Sequence, residues 1–203
     1  MPPLQMNLPN TLTLVRMFLV PLLVVVLLTE FEGRQILGVS KELVAAAIFG
    51  LASLTDWLDG YIARRRRQIT WLGQILDPIA DKLLTSAAFI SLVQLDLAPA
   101  WMVALIIGRE FAVTALRSLA YTKGITIPAS PLGKMKMASQ VTAILVLILG
   151  WGPLPWLKPI GYVALWAVML LAVVSAVDYY RRFQRMLTAR VTDVSIARQR
   201  RAG

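Results

Sequence analysis

Residues 55–81 read TDWLDGYIARRRRQITWLGQILDPIAD. Four aspartates flank a run of four arginines, and on either side of this stretch the chain turns strongly apolar. Asp56 and Asp59 are three apart, Asp77 and Asp81 four apart, so each pair lies on one face of a helix. The basic run reads as the connection between two antiparallel helices. The first of them ends near Arg64, which puts Asp59 about five residues, or ~7.5 Å, inside that end. The second starts from the same side and carries its aspartates at comparable depth, with Pro78 in its first turn or at a local break. Four carboxylates therefore converge without any other part of the fold being invoked.

Working outward, 58% of the 203 residues are hydrophobic and 16% are charged, with mean hydropathy +0.68. Soluble domains run at about 45–50% and 25%. Six apolar windows, 11–29, 43–63, 75–95, 99–121, 135–151 and 156–178, are each of a length that crosses a bilayer. The first lacks a basic residue before Arg16 and a small-residue cleavage site, so it reads as a retained helix capped by Asn10 or Thr11 and adjusted at Pro21. With the N-terminus inside, one side collects 14 basic residues: Arg64 to Arg67, Lys123, Lys134, Lys136 and seven arginines from Arg181 onward. The other side has Arg34, Lys41 and Lys158 beside Glu30, Glu32, Glu42 and Asp96. The positive-inside rule then places both termini in the cytoplasm. The expected fold is an all-α integral membrane protein of six transmembrane helices, with its active site at the cytoplasmic ends of helices 2 and 3. Residues 1–182 form the membrane domain and residues 183–203 a basic, polar cytoplasmic tail.

Cysteine and histidine are both absent. That excludes disulfides, thiolate zinc sites, iron–sulfur clusters, Cys nucleophiles, His-based triads and imidazole acid–base chemistry. Catalysis falls to carboxylates, Lys, Arg, Tyr or hydroxyls, and a metal falls to oxygen ligands, which favours Mg²⁺, Mn²⁺ or Ca²⁺. The net charge of +10 is accounted for by topology and contact with anionic headgroups, so no nucleic-acid partner is expected.

Four negative charges in a partly dry site are prohibitive unless cations compensate them. One or two divalent ions shared by Asp56, Asp59, Asp77 and Asp81 would form a clamp suited to phosphoryl transfer. Gly60 and Ala63 follow Asp56 on the same face and would admit a ligand close to the backbone, although small-residue helix packing explains them equally well. Arg64 could hold a phosphate, and Gly73 could let the chain pass close to the ligand.

The spacing Asp56-x2-Asp59-Gly60-x2-Ala63-Arg64-x8-Gly73-x3-Asp77-x3-Asp81 resembles, at every fixed position, the signature of the CDP-alcohol phosphatidyltransferases. That resemblance implies a six-helix membrane enzyme, often a homodimer, which transfers a phosphatidyl group from a CDP-linked lipid to an alcohol and releases CMP. It implies that the four aspartates surround two ions, Mg²⁺ or Mn²⁺, and that Asp81 is also the catalytic base taking the proton of the attacking hydroxyl. It further implies that Gly60, Ala63, Arg64 and Gly73 line the nucleotide and its diphosphate, joined by Thr70. The flanking stretches MNLPNTLTLVRMFLVPLLVVV, IIGREFAVTALRSLA and PLGKMKMASQ extend the similarity over about residues 7 to 180. They are similar to bacterial members of the family that use CDP-diacylglycerol and sn-glycerol 3-phosphate and make phosphatidylglycerophosphate in the inner membrane. The arginine-rich tail matches nothing in that pattern.

Acceptor binding has its own candidates. Arg109 and Arg117 lie inside the fourth window, and Lys134 and Lys136 border the fifth. An unpaired Arg at that depth costs several kcal/mol, so Arg109 needs a partner. Glu110 projects about 100° away and is not expected to be it, which leaves an anionic ligand or a cluster aspartate. Arg109, Arg117, Lys134 and Lys136 are accordingly expected to hold the acceptor phosphate, with snorkelling to lipid phosphates the plainer alternative for the last three. Asn10, Thr13 and Arg16 could contact the CDP-lipid headgroup from the first helix, although capping and topology explain them almost as well. Two other functions stay open: a sister enzyme whose acceptor is inositol phosphate, serine or phosphatidylglycerol, and a divalent-cation transporter with the aspartates as its ion path. Against the transporter, no second polar cluster is expected toward the opposite side.

Overall fold

The computed structural model describes the backbone of residues 8–30, 35–36, 38–66, 71–122 and 131–202, with side chains over 11–30, 35–36, 38–55, 79–120, 122 and 135–186. Among these residues there are six α-helices: α1 (Leu8–Leu28), α2 (Lys41–Arg66), α3 (Trp71–Gln94), α4 (Ala100–Thr122), α5 (Pro131–Trp151) and α6 (Lys158–Ala202). Two-residue strands β1 (Gln35–Ile36) and β2 (Val39–Ser40) pair antiparallel between α1 and α2, a hairpin the apolar windows do not foretell. Gly38 makes its turn with φ +79°, a left-handed conformation that glycine adopts without strain.

Helix α1 packs on both α2 and α3, α5 on α2 and α6, and α4 on α6 and α3. Along α1 the buried residues Thr13, Arg16, Leu23, Val26 and Leu27 recur at helical spacing. That stripe therefore faces α2 and α3. The shared core is Phe49, Leu84, Phe89, Leu92, Ile106, Ile144, Leu147, Ile148 and Leu165 with their neighbours. Where α5 crosses α6, a Cβ on Gly161 would stand 2.7 Å from the Leu147 side chain, so glycine is what lets the two helices approach.

The molecule buries several polar residues among its apolar core and turns large apolar side chains outward. Arg16, Lys41, Glu42, Lys136, Gln140 and Ser175 are buried, whereas Phe18 (77%), Val163 (70%) and Trp156 (65%) stand exposed. An outer surface of this kind would not stay dispersed in water and suits lipid. Two helical segments, Thr11–Leu28 and Pro155–Met186, are long and apolar enough to cross a membrane, and Met135–Trp151 is a shorter apolar one. The other helices are interrupted by charges, including the half-buried Asp81, Lys82, Arg109 and Glu110. The chain is a membrane protein with an all-helical body.

Three expectations change. Helix α3 begins at Trp71 and runs on through Pro78, so this proline is neither in the first turn nor at a break. Helix α6 has 45 residues and no interruption at residue 182; the stretch expected as a polar tail continues the helix to Ala202. Its length of ~68 Å is more than twice a hydrocarbon core of about 30 Å, so its basic end extends beyond any bilayer the apolar part occupies. Lastly, a second buried charge pair exists at the other end of the bundle. Lys41 donates from Nζ to the carbonyls of Leu27 (3.3 Å) and Thr29 (3.0 Å) and lies 4.9 Å from the Trp151 ring centre. Its neighbour Glu42 is 2% exposed and packs so closely on Gly152 that a Cβ there would overlap it.

Candidate active site

The signature falls where α2 leaves and α3 enters the bundle. Asp56 and Asp59 are in the second half of α2, and Asp77 and Asp81 in the first half of α3. Counted from the connected ends, Arg66 and Trp71, Asp59 and Asp77 lie about 10 Å in, and Asp56 and Asp81 about 15 Å in. The two pairs thus match in depth on consecutive helices. The side chains of Asp56, Asp59, Gly60, Ala63, Arg64, Gly73 and Asp77, and the whole of Thr70, are outside the described residues, as are the side chains of Asn10 and Lys134. Thr13 and Arg16 are described and fully buried on the α2- and α3-facing stripe of α1, and each is engaged there.

Asp81 joins this region to a basic cluster. Its charge acts on Lys82 and on Lys136, which is only 4% exposed although it is a lysine. Lys136 also feels Arg109 and Lys82, and Arg117 acts on both Arg109 and Lys82. Four cations from α3, α4 and α5 therefore stand within electrostatic reach of one another. Two acids, Asp81 and Glu110, oppose them, a formal excess of two basic residues among those described.

Contrary to the sequence expectation, Glu110 is a partner of Arg109. Arg109 Nη1 donates to Glu110 Oε1 at 3.2 Å, and Lys136 forms an ion pair with the same oxygen. The 100° between successive helical residues separates Cβ directions, but a long guanidinium and a glutamate can fold back toward each other across that angle. Arg109 is also fastened to α6: Nε donates to the Ala172 carbonyl (3.2 Å) and Nη2 to Ser175 Oγ (2.7 Å). Ser175 in turn donates within its own helix, to the carbonyls of Leu171 (2.6 Å) and Ala172 (3.1 Å). A planar fork with five N–H groups can serve three directions at once, which an ammonium cannot do in fixed geometry. Two turns further along α4, Arg117 stacks 5.8 Å from the ring centre of Tyr179 on α6.

The sequence reading set Glu110 aside and passed over Lys82, Ser175 and Tyr179. The signal for the last two was present: a serine, an aspartate and two tyrosines interrupt an otherwise apolar helix at Ser175, Asp178, Tyr179 and Tyr180. Their spacing puts Ser175 and Tyr179 on one face, the one α4 occupies.

The signature thus lies on two consecutive helices beside a cluster of cations from α3, α4 and α5. The chain belongs to the CDP-alcohol phosphatidyltransferase family, which it matches over residues 6–177. It is 44% identical over 182 residues to the CDP-diacylglycerol–glycerol-3-phosphate 3-phosphatidyltransferase of Bacillus subtilis, covering 87% of this chain and 94% of that one. A protein of the same name from Rickettsia typhi is 34% identical over 177 residues, with 86% and 96% covered. A probable phosphatidylglycerophosphate synthase of Mycobacterium tuberculosis is 41% identical over 180 residues, with 88% and 82% covered.

Proposed function

We propose that this transferase moves the phosphatidyl group of CDP-diacylglycerol to sn-glycerol 3-phosphate, giving phosphatidylglycerophosphate and CMP. The family match and the names of its relatives support the two substrates. The observation that carries the acceptor is the cluster of Lys82, Arg109, Arg117 and Lys136 beside Asp81. A phosphate monoester brings about −1.5 to −2 at neutral pH, matching in sign the formal excess of basic residues among those described there. Serine would leave that excess uncompensated in a low-dielectric setting.

In this reading CDP-diacylglycerol keeps its acyl chains in lipid and its nucleotide at the cytoplasmic ends of α2 and α3, in a protein with six spans, both termini inside, dimeric in the bacterial inner membrane. Gly60, Ala63, Arg64, Thr70 and Gly73 line the nucleotide and diphosphate, and Asn10 and Thr13 approach the headgroup from α1. Asp56, Asp59, Asp77 and Asp81 would hold Mg²⁺ or Mn²⁺, as two ions. An all-carboxylate donor set at matched depth on two helices suits a hard divalent cation. When bound, the metal would supply neutralisation of diphosphate charge. Arg109, Arg117, Lys134 and Lys136 hold the acceptor phosphate and so fix its far end. Asp81, which lies in the field of two of the cluster's lysines, takes the proton of the 1-hydroxyl. The oxygen attacks the phosphorus next to diacylglycerol, the diphosphate bond breaks, and CMP leaves. Holding both reactants in one bundle makes the encounter unimolecular and excludes water as a competing nucleophile.

The test is CMP release by purified protein in mixed micelles with CDP-diacylglycerol, given glycerol 3-phosphate, inositol phosphate or serine, before and after chelation and Mg²⁺ restoration. Release should require glycerol 3-phosphate and the divalent ion. Release with another acceptor alone would move the specificity, and metal-independent release would remove the cation role of the aspartates.

A further inference from the structure

Tyr179 carries one of three buried hydroxyls left unmatched among the described residues, with Ser40 and Ser53, and it alone of these lies against the basic cluster. Tyr179 is 8% exposed, its oxygen is sealed from solvent, and the hydroxyl makes no hydrogen bond. A buried hydroxyl left unmatched costs roughly 1–3 kcal/mol, and native proteins retain few such groups without a use for them. Its position suggests the use. Tyr179 lies one turn beyond Ser175, the residue that receives Arg109, and its ring carries the guanidinium of Arg117. Both arginines belong to the basic cluster, and neighbouring groups there hold donors in reserve. Lys136 directs its ammonium at Glu110 alone among the described residues, and Arg109 spends three of its five N–H groups. Lys136 and Arg109, with donors unspent, meet at Glu110, and Tyr179 joins the same cluster through Arg117, where the described cations outnumber the acids. What these donors lack is an acceptor with several oxygens.

The geometry points to Tyr179 as a binding residue for the acceptor phosphate, its hydroxyl donating to a phosphate oxygen while Arg109 and Lys136 supply the charge. The inference rests on the proposed glycerol 3-phosphate reading and adds to it a residue from α6. An O–H donor beside cations contributes direction, since it selects an oxygen at a fixed place where charge alone would hold the anion loosely. Tyr179 would be orphaned in the free protein and satisfied in the complex.

Tyr179→Phe tests this, because it removes one oxygen and keeps the ring under Arg117. Three quantities are measured on detergent-purified wild type and variant: KM for glycerol 3-phosphate, inhibition by inorganic phosphate, and the melting temperature with and without glycerol 3-phosphate. The expected result is a KM and a phosphate inhibition constant both raised about tenfold or more. The KM for CDP-diacylglycerol should stay within twofold. The ligand-free variant should melt at the wild-type temperature or above it, since it loses an unmatched polar group, while the upward shift produced by glycerol 3-phosphate shrinks. A lower melting temperature with unchanged KM would make Tyr179 structural and overturn the inference. A raised KM with unchanged phosphate inhibition would overturn the phosphate contact. Wild type that neither uses glycerol 3-phosphate nor responds to phosphate would instead defeat the acceptor reading itself, so the two failures are distinct.

Discussion

The two ends of the bundle both bury charge, in different ways. At the end formed by the C-terminus of α1, the start of α2 and the close of α5, Lys41 has two carbonyls and an aromatic ring, and one lysine stands beside one glutamate. At the end that carries the signature, Lys82, Arg109, Arg117 and Lys136 face Asp81 and Glu110, with donors on Lys136 and Arg109 unspent and the Tyr179 hydroxyl unmatched. A buried charge that the chain itself satisfies is a fastening. A half-buried group in which the described cations outnumber the described acids is where we propose that the acceptor binds.

The sharpest way to break this contrast is Asp81→Asn. It keeps the side-chain volume and removes the base, and CMP release should fall about 10²- to 10⁴-fold while the protein still elutes as wild type in detergent. Turnover near normal would remove the base assignment. Next comes Arg109→Lys, which keeps the charge and loses the fork that reaches Ala172, Ser175 and Glu110 together. The KM for glycerol 3-phosphate should rise about tenfold and the melting temperature should fall, since the α4–α6 link goes with the fork. Steady-state kinetics and a thermal scan on one preparation check both.

Two smaller effects concern packing. Gly161→Leu would force α6 off Leu147 and should destabilise the protein by about 1–3 kcal/mol, read as earlier unfolding in a detergent melt. Lys41→Met at the opposite end should cost about 1 kcal/mol, because two carbonyls lose their donor while the apolar stem is retained. It should leave kcat and both KM values within twofold. A kinetic effect from Lys41→Met would erase the distinction between fastening and site.

Much of this was legible in one dimension. Helix existence followed from apolar windows of bilayer length, and each window falls largely within a helix. The pairing of aspartates at matched depth followed from two spacings and one short connection, because a helix has a fixed rise and two consecutive helices share an end. The extent of α6 was not legible: polar residues after position 182 carry no signal that separates a solvated helix from a tail. Pro78 was misplaced because a proline reads as a boundary, although a surrounding bundle tolerates one inside a helix.

The sequence by itself determined the membrane setting, the helical body and the carboxylate signature, since these rest on composition and on spacing along a single helix. Only the tertiary structure decided what Arg109 does, because its partners Ala172 and Ser175 lie more than sixty residues away and Lys136 on yet another helix. It likewise decided that Lys41 is a cap on α1 and that Tyr179 is buried without a match. Periodicity tells which face of a helix turns inward, but which charge meets which depends on how three helices close around one another.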